Sequence, residues 1–131
     1  MSMDRGETEA FIRQLYAARI EGDMGALGKA FAENAKFQVA GSTDFSMLAT
    51  VAEGHDGVMG LLQTMVDSLA LEDFTILDLL IDGDKAAVRW RATVHLVTSD
   101  QTLSTELADF IEIADGKVVA FIEFLDTALA G

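Results

Sequence analysis

Apolar residues recur with a helical period at the start of the chain. Phe11, Ile12, Leu15, Tyr16 and Ile20 fall on one side of a helix that Glu7 or Thr8 opens. Gly22, which accepts the left-handed conformation, ends it. Asp23 caps a short second helix carrying Met24, Leu27, Ala30 and Phe31. Residues 35–40 read as a strand and 41–54 as a loop, within which 47–53 could serve as a lid. Asp56 caps a third helix with Val58, Leu61, Leu62, Met65, Val66 and Leu69 on one side. From Phe74 onward the period becomes that of strands rich in Ile, Val, Thr and Phe. Four strands are predicted, at 74–81, 86–97, 102–114 and 118–125, with turns at Asp82-Gly83-Asp84, Ser99-Asp100-Gln101 and Asp115-Gly116.

This order predicts an α+β fold, with three N-terminal helices packed on one face of a strongly curved, mostly antiparallel sheet. Such a sheet and helix set form a cone whose inside is the natural pocket. No proline, linker, repeat or low-complexity stretch divides residues 1–131, so a single domain is expected.

Composition narrows the chemistry. Nine basic residues against 22 acidic ones leave a net charge of −13, which opposes binding to a polyphosphate such as nucleic acid. Half the residues are hydrophobic, which excludes a disordered chain. Without cysteine there is no disulfide or thiolate chemistry, and two histidines are too few for a histidine- and cysteine-rich zinc site. Neither a metal nor a cofactor is expected. The opening MSMDRGETEAF lacks the pattern of a signal peptide, and no apolar run reaches membrane-spanning length, so a cytoplasmic protein with no membrane partner is expected.

The strand faces single out candidate residues. On 102–114 the apolar face reads Leu103, Thr105, Leu107, Asp109, Ile111, Ile113, which sets a carboxylate among aliphatic neighbours. Loss of hydration there raises the carboxyl pKa. On 118–125 the corresponding face reads Val119, Phe121, Glu123, Leu125, with Glu123 its one polar member. The connecting turn decides whether the two acids meet. A two-residue Asp115-Gly116 loop opposes Asp109 to Ile122 and sends Glu123 to the reverse face. A three-residue Ala114-Asp115-Gly116 loop, with Gly116 left-handed, opposes Asp109 to Phe121 and makes the two acids diagonal neighbours on one face. We take the second as the expected register. The pair would then titrate together and suit acid/base catalysis. The bland alternatives are a bulge at Asp109 or a solvent-facing Glu123.

On 86–97, Trp90 belongs to the inner face, either as a flat wall for a planar ligand or as ordinary core. Arg89, Arg91 and His95 form an outer stripe that reads as solvated surface or a dimer contact. The Tyr16 hydroxyl could hold a ligand oxygen or simply pack at the cone's edge. His55 stands at the pocket rim or on the surface.

Three segments carry a resemblance: LYAARIEGDMGALGKAFAENAKF (15–37), the helix after EGHDG (53–57), and DFIEIADGKVVAFIEFLDTA (109–128). Together they resemble the SnoaL-like polyketide cyclase and ketosteroid isomerase branch of the nuclear transport factor 2-like superfamily. The resemblance implies a pocket lined by Tyr16, Phe37, Trp90, Phe121 and Leu125, and a homodimer formed through the outer sheet face. Ketosteroid isomerase uses a base Asp, a Tyr and a neutral Asp. Here the base position falls on Val39, the tyrosine position on Leu15 with Tyr16 one residue away, and the neutral Asp on Asp109. Steroid isomerisation by that arrangement is therefore disfavoured. The cyclase branch fits better, because it places its acid/base groups on the last two strands, where Asp109 and Glu123 stand. The implied function is cofactor-independent acid/base catalysis by Asp109 and Glu123 on a small hydrophobic carbonyl compound, as an isomerase, cyclase or lyase. The rivals are a hydrophobic-ligand-binding module of the same fold and, from the transport factor that names the superfamily, a protein–protein adaptor.

Overall fold

The computed structural model describes residues 3–40 and 51–124. The first helix, α1 (Arg5–Glu21), begins earlier than expected because Asp4 accepts from the Glu7 N–H while Glu7 reaches back to the Asp4 N–H. This reciprocal cap satisfies two amides that helix geometry leaves free, so Glu7 completes the cap and does not open the helix. Gly22 ends α1 with φ 71°, donating its N–H toward the Ala18 and Arg19 carbonyls. A Cβ there would lie 3.1 Å from Val66 Cγ1, so the left-handed stop also permits close packing against the third helix.

Asp23 caps α2 (Met24–Ala30), as expected. Phe31 leaves the helix in an extended conformation and opens β1 (Phe31–Ala40), where its ring packs 6.3 Å from those of both Phe37 and Phe121. Most of the predicted lid lies outside the described residues, and its end, Val51–Glu53, is a short edge strand, β2, paired with β1. Next comes α3 (His55–Ser68), whose N-cap is Gly54, with Asp56 inside the first turn. Leu69 starts a strand and does not extend the helix, so β3 runs Leu69–Asp82. The meander continues as β4 (Lys85–Leu96), β5 (Gln101–Ala114) and β6 (Lys117–Phe124). Gln101 pairs with Leu96, so the β4–β5 connection is residues 97–100 and Gln101 belongs to the strand.

The six strands lie in the order β2-β1-β6-β5-β4-β3. Among the described residues only the β1–β6 pairing is parallel. The sheet is curved and open, and the helices cover its concave face, which is the expected α+β architecture. Register shifts in β3, together with Asp73 at φ 53°, mark bends of the kind that curve a sheet.

The β5–β6 hairpin departs from both registers considered. Ala114 pairs with Lys117 around a two-residue turn in which Asp115 (φ 52°) and Gly116 (φ 76°) are both left-handed. Two left-handed residues form the mirror-image turn whose twist suits a hairpin, and Asp-Gly is a favoured pair for it. The ladder then slips: Ile113 opposes Val118, Glu112 opposes Ala120, and Val119 is the extra residue. Beyond this bulge Asp109 stands directly across from Glu123. Val118 replaces Val119 on the inner face, while Phe121 and Glu123 stay inside. Among the described residues no helix is long and apolar enough to cross a membrane.

Candidate functional site

Asp109 and Glu123 are each 0% exposed, in the middle of the core. Their inward orientation follows from strand alternation on β5 and from the Val119 bulge on β6. As directly opposed residues their backbones are closer than the expected diagonal placement allows, about 4.5–5.5 Å between Cα atoms.

Two side chains from α1 reach down onto this pair. Tyr16 donates its hydroxyl hydrogen to Asp109 Oδ2. Arg19, three residues on and 8% exposed, grips Glu123 with both guanidinium nitrogens: Nη2 donates to Oε1 at 2.7 Å and Nη1 to Oε2. This is a two-pronged ion pair inside the protein. From β4, the Trp90 Nε1–H donates to Asp109 Oδ2 at 2.7 Å. The Arg19 guanidinium also sits 5.5 Å from the Trp90 ring centroid. Asp109 Oδ2 therefore takes two donors, whereas Oδ1 is buried and no donor reaches it among the described residues.

The electrostatics follow from burial. Asp109 is raised well above the usual carboxylate value, first by burial, then by the neighbouring Glu123 charge and a hydrogen bond to that side chain, with Arg19 and the Tyr16 hydrogen bond opposing. Tyr16 is likewise raised, by burial and then by Asp109, and stays protonated. Burial works against the charge on Arg19, but the Glu123 charge and hydrogen bonds outweigh it and raise its pKa. With Asp109 neutral and Arg19 paired to Glu123, the four groups carry no net charge.

Among the described residues the expected ligand-sized hollow is not open. Leu15, Tyr16, Arg19, Leu27, Phe31, Phe37, Leu62 and Phe121 enclose a cavity of about 10 Å³, room for one water at most. The filling is aromatic: Phe37 and Phe121 stack 4.6 Å apart with Phe31 against both. Of the five expected pocket residues, Tyr16, Phe37 and Phe121 line this cavity. Trp90 is wholly buried against Tyr16 and Phe74 and holds Asp109. Leu125 lies outside the described residues.

Arg19 is the site residue that reading the sequence missed. Its signal was its place, seven residues after Ile12 and three after Tyr16, on the apolar side of α1. Val39, where the resemblance puts a base, is buried beside Glu123 in the β1–β6 pairing. His55 ties α3 to α2 through a 2.7 Å contact with the Gly28 carbonyl and is not part of the site. The outer stripe is surface: Arg89 bonds Asp78 and Glu106, and His95 contacts Thr102 and Asp100. Among the described residues no group of three His, Asp or Glu is arranged to hold a metal ion.

The fold is shared with solved structures. A nuclear transport factor 2-like protein from Burkholderia xenovorans superposes with TM-score 0.77 at 23% identity, covering 98% of this chain and 95% of that one. An LEH-like epoxide hydrolase from M. tuberculosis gives TM-score 0.76 at 14% identity over 95% and 86%. A protein with a ketosteroid isomerase-like fold from Catenulispora acidiphila, solved with trimethylamine, gives 0.72 at 13% identity over 86% and 82%. No curated protein matches the sequence. The model of the SnoaL-like domain matches residues 12–121, from the buried face of α1 through Phe121 on the last strand. With that match over most of its length, and with a curved sheet and helix cover that share the nuclear transport factor 2-like fold, the chain belongs to the SnoaL-like domain family.

Proposed function

We propose that this chain is a cofactor-independent acid/base enzyme of isomerase, cyclase or lyase type, acting on a small, uncharged, hydrophobic carbonyl compound. One observation carries the reading: Asp109 is wholly buried, and one of its oxygens meets no donor among the described residues. An acid kept neutral in an apolar site can donate a hydrogen bond to a carbonyl oxygen and steady the enolate that forms when a neighbouring C–H loses its proton. Glu123, held by Arg19, is the carboxylate across the ladder that takes this proton. The ion pair has to loosen for transfer, because both Glu123 oxygens are engaged by Arg19. The absence of net charge in the cluster favours an uncharged substrate.

The experiment follows exchange of hydrogens next to the carbonyl in D2O for a panel of small cyclic enones and diketones. The reading predicts exchange above the buffer rate that is lost in D109N and in E123Q. A second reading, a binding module without turnover, draws support from the near-filled interior and the engaged Glu123. It predicts that panel compounds change the fluorescence of Trp90 with no exchange in any of them.

The reading includes a cytoplasmic setting and a homodimer through the outer sheet face. Leu80 (67% exposed), Phe110 (54%) and Phe124 support the dimer, with the two phenylalanine rings edge to face 5.8 Å apart. Sedimentation that shows only monomer at micromolar concentration removes it.

A further inference from the structure

We infer that Trp90 is a positioning residue that, together with Tyr16, confines the Asp109 proton to Oδ1, so that the acid presents a single fixed donor atom.

The argument is geometric. Tyr16 and Trp90, from α1 and β4, both direct a hydrogen at the same oxygen, Oδ2. A carboxyl oxygen has two lone-pair sites, and both are then occupied by donors. Tyr16 alone would leave two arrangements open, because a hydroxyl can donate or accept. The indole N–H only donates, so Oδ2 accepts from it in either arrangement, but a hydrogen on Oδ2 would have to go to the Tyr16 oxygen and would take from the tyrosine hydrogen the acceptor it has. Every hydrogen is satisfied when Oδ2 is the carbonyl oxygen and the hydrogen sits on Oδ1, which receives no donor among the described residues and faces Glu123 across the ladder. The charged and titratable groups around Asp109 are Tyr16 and Arg19 of α1 and Glu123 of β6, while β4 supplies only the uncharged indole.

A consequence follows for recognition. The Tyr16 hydrogen is engaged by Asp109, so a ligand oxygen that displaces Glu123 from the acid meets one donor, Asp109 Oδ1–H, and not a tyrosine–acid pair. The inference rests on the proposed function only for what that proton is used for.

The test is infrared difference spectroscopy at neutral pH without ligand, where exposed carboxylates are ionised and D109N identifies the C=O stretch of the neutral Asp109. With Oδ2 as the carbonyl oxygen holding two donors, W90F removes one of them and the band moves to higher frequency. Were the proton on Oδ2, the carbonyl oxygen would be Oδ1, which neither donor reaches, and the band would stay put. An unmoved band in W90F overturns the inference, as does the lack of any neutral-acid band that D109N removes. If W90F does not fold, Y16F withdraws the other donor from the same oxygen and must produce the same upward shift. No turnover is read, so absence of hydrogen exchange would remove the proposed function and leave this result standing.

Discussion

Arg19 is the residue on which the interior balances. Glu123 is 0% exposed, and its charge is tolerated because a guanidinium fills both of its oxygens. R19M should therefore cost more than a lost contact: it strands a buried carboxylate, with a penalty of about 3–5 kcal/mol by urea unfolding. Replacing both partners, as R19M/E123L, should recover most of that, and a double variant as unstable as the single one would contradict the pairing. Asp109 makes a prediction of opposite sign. Its folded pKa lies above its unfolded one, so the folded state holds the proton more tightly. Between those two values stability falls as pH rises, by up to about 1.4 kcal/mol per pH unit. Below the unfolded value, about 4, this loss is absent. D109N keeps the shape of the neutral acid and removes the dependence. Its stability relative to the parent should thus improve steadily from about pH 4 upward, and a difference that stays constant with pH would contradict a neutral Asp109. Both acids were legible as lone polar residues on apolar strand faces. Arg19 was not: a basic residue in the last turn of a helix ordinarily faces solvent and complements the helix dipole, and its partner lies 104 positions away.

Among the elements, the β5–β6 hairpin does most to build the site. The alternation of β5 was readable from sequence, and so was the Asp115-Gly116 turn. The slip at Val119 was not, because a bulge depends on how the ladder packs and carries no residue signature here. A regular two-residue hairpin would have put Glu123 outside, so this one inserted residue is what brings it opposite Asp109. Deleting Val119 removes the extra residue and should leave a regular ladder in which Ala120 still opposes Glu112 and Glu123 still opposes Asp109, inside and paired with Arg19. The expected result is a stability close to the parent's by urea unfolding, and a fall comparable to R19M would contradict this register. The first helix is the complementary part: Tyr16 and Arg19, three residues apart, hold it to β5 and β6 at two points. Helix periodicity predicted that face, while the reciprocal Asp4–Glu7 cap set its start.

For the whole molecule, order and faces of the elements sufficed to anticipate a curved sheet under helices, and the family match agrees. What sequence could not give was the volume left inside, because that depends on how three phenylalanine rings settle against one another. The cavity among the described residues is about 10 Å³, so a ligand enters it only if α1 or the aromatic cluster moves. F121A should open a cavity, at a cost of about 3–5 kcal/mol, and the cavity should take up a small aromatic such as benzene, seen as a rise in melting temperature on adding it. No rise with benzene would mean that the neighbouring side chains collapse into the space. The measurement that bears most directly on the account is the pH titration of the Asp109 carboxyl carbon by NMR, assigned by its absence in D109N. The account predicts that it remains protonated well above the range in which the surface acids ionise, and ionisation together with them at about pH 4 would contradict it.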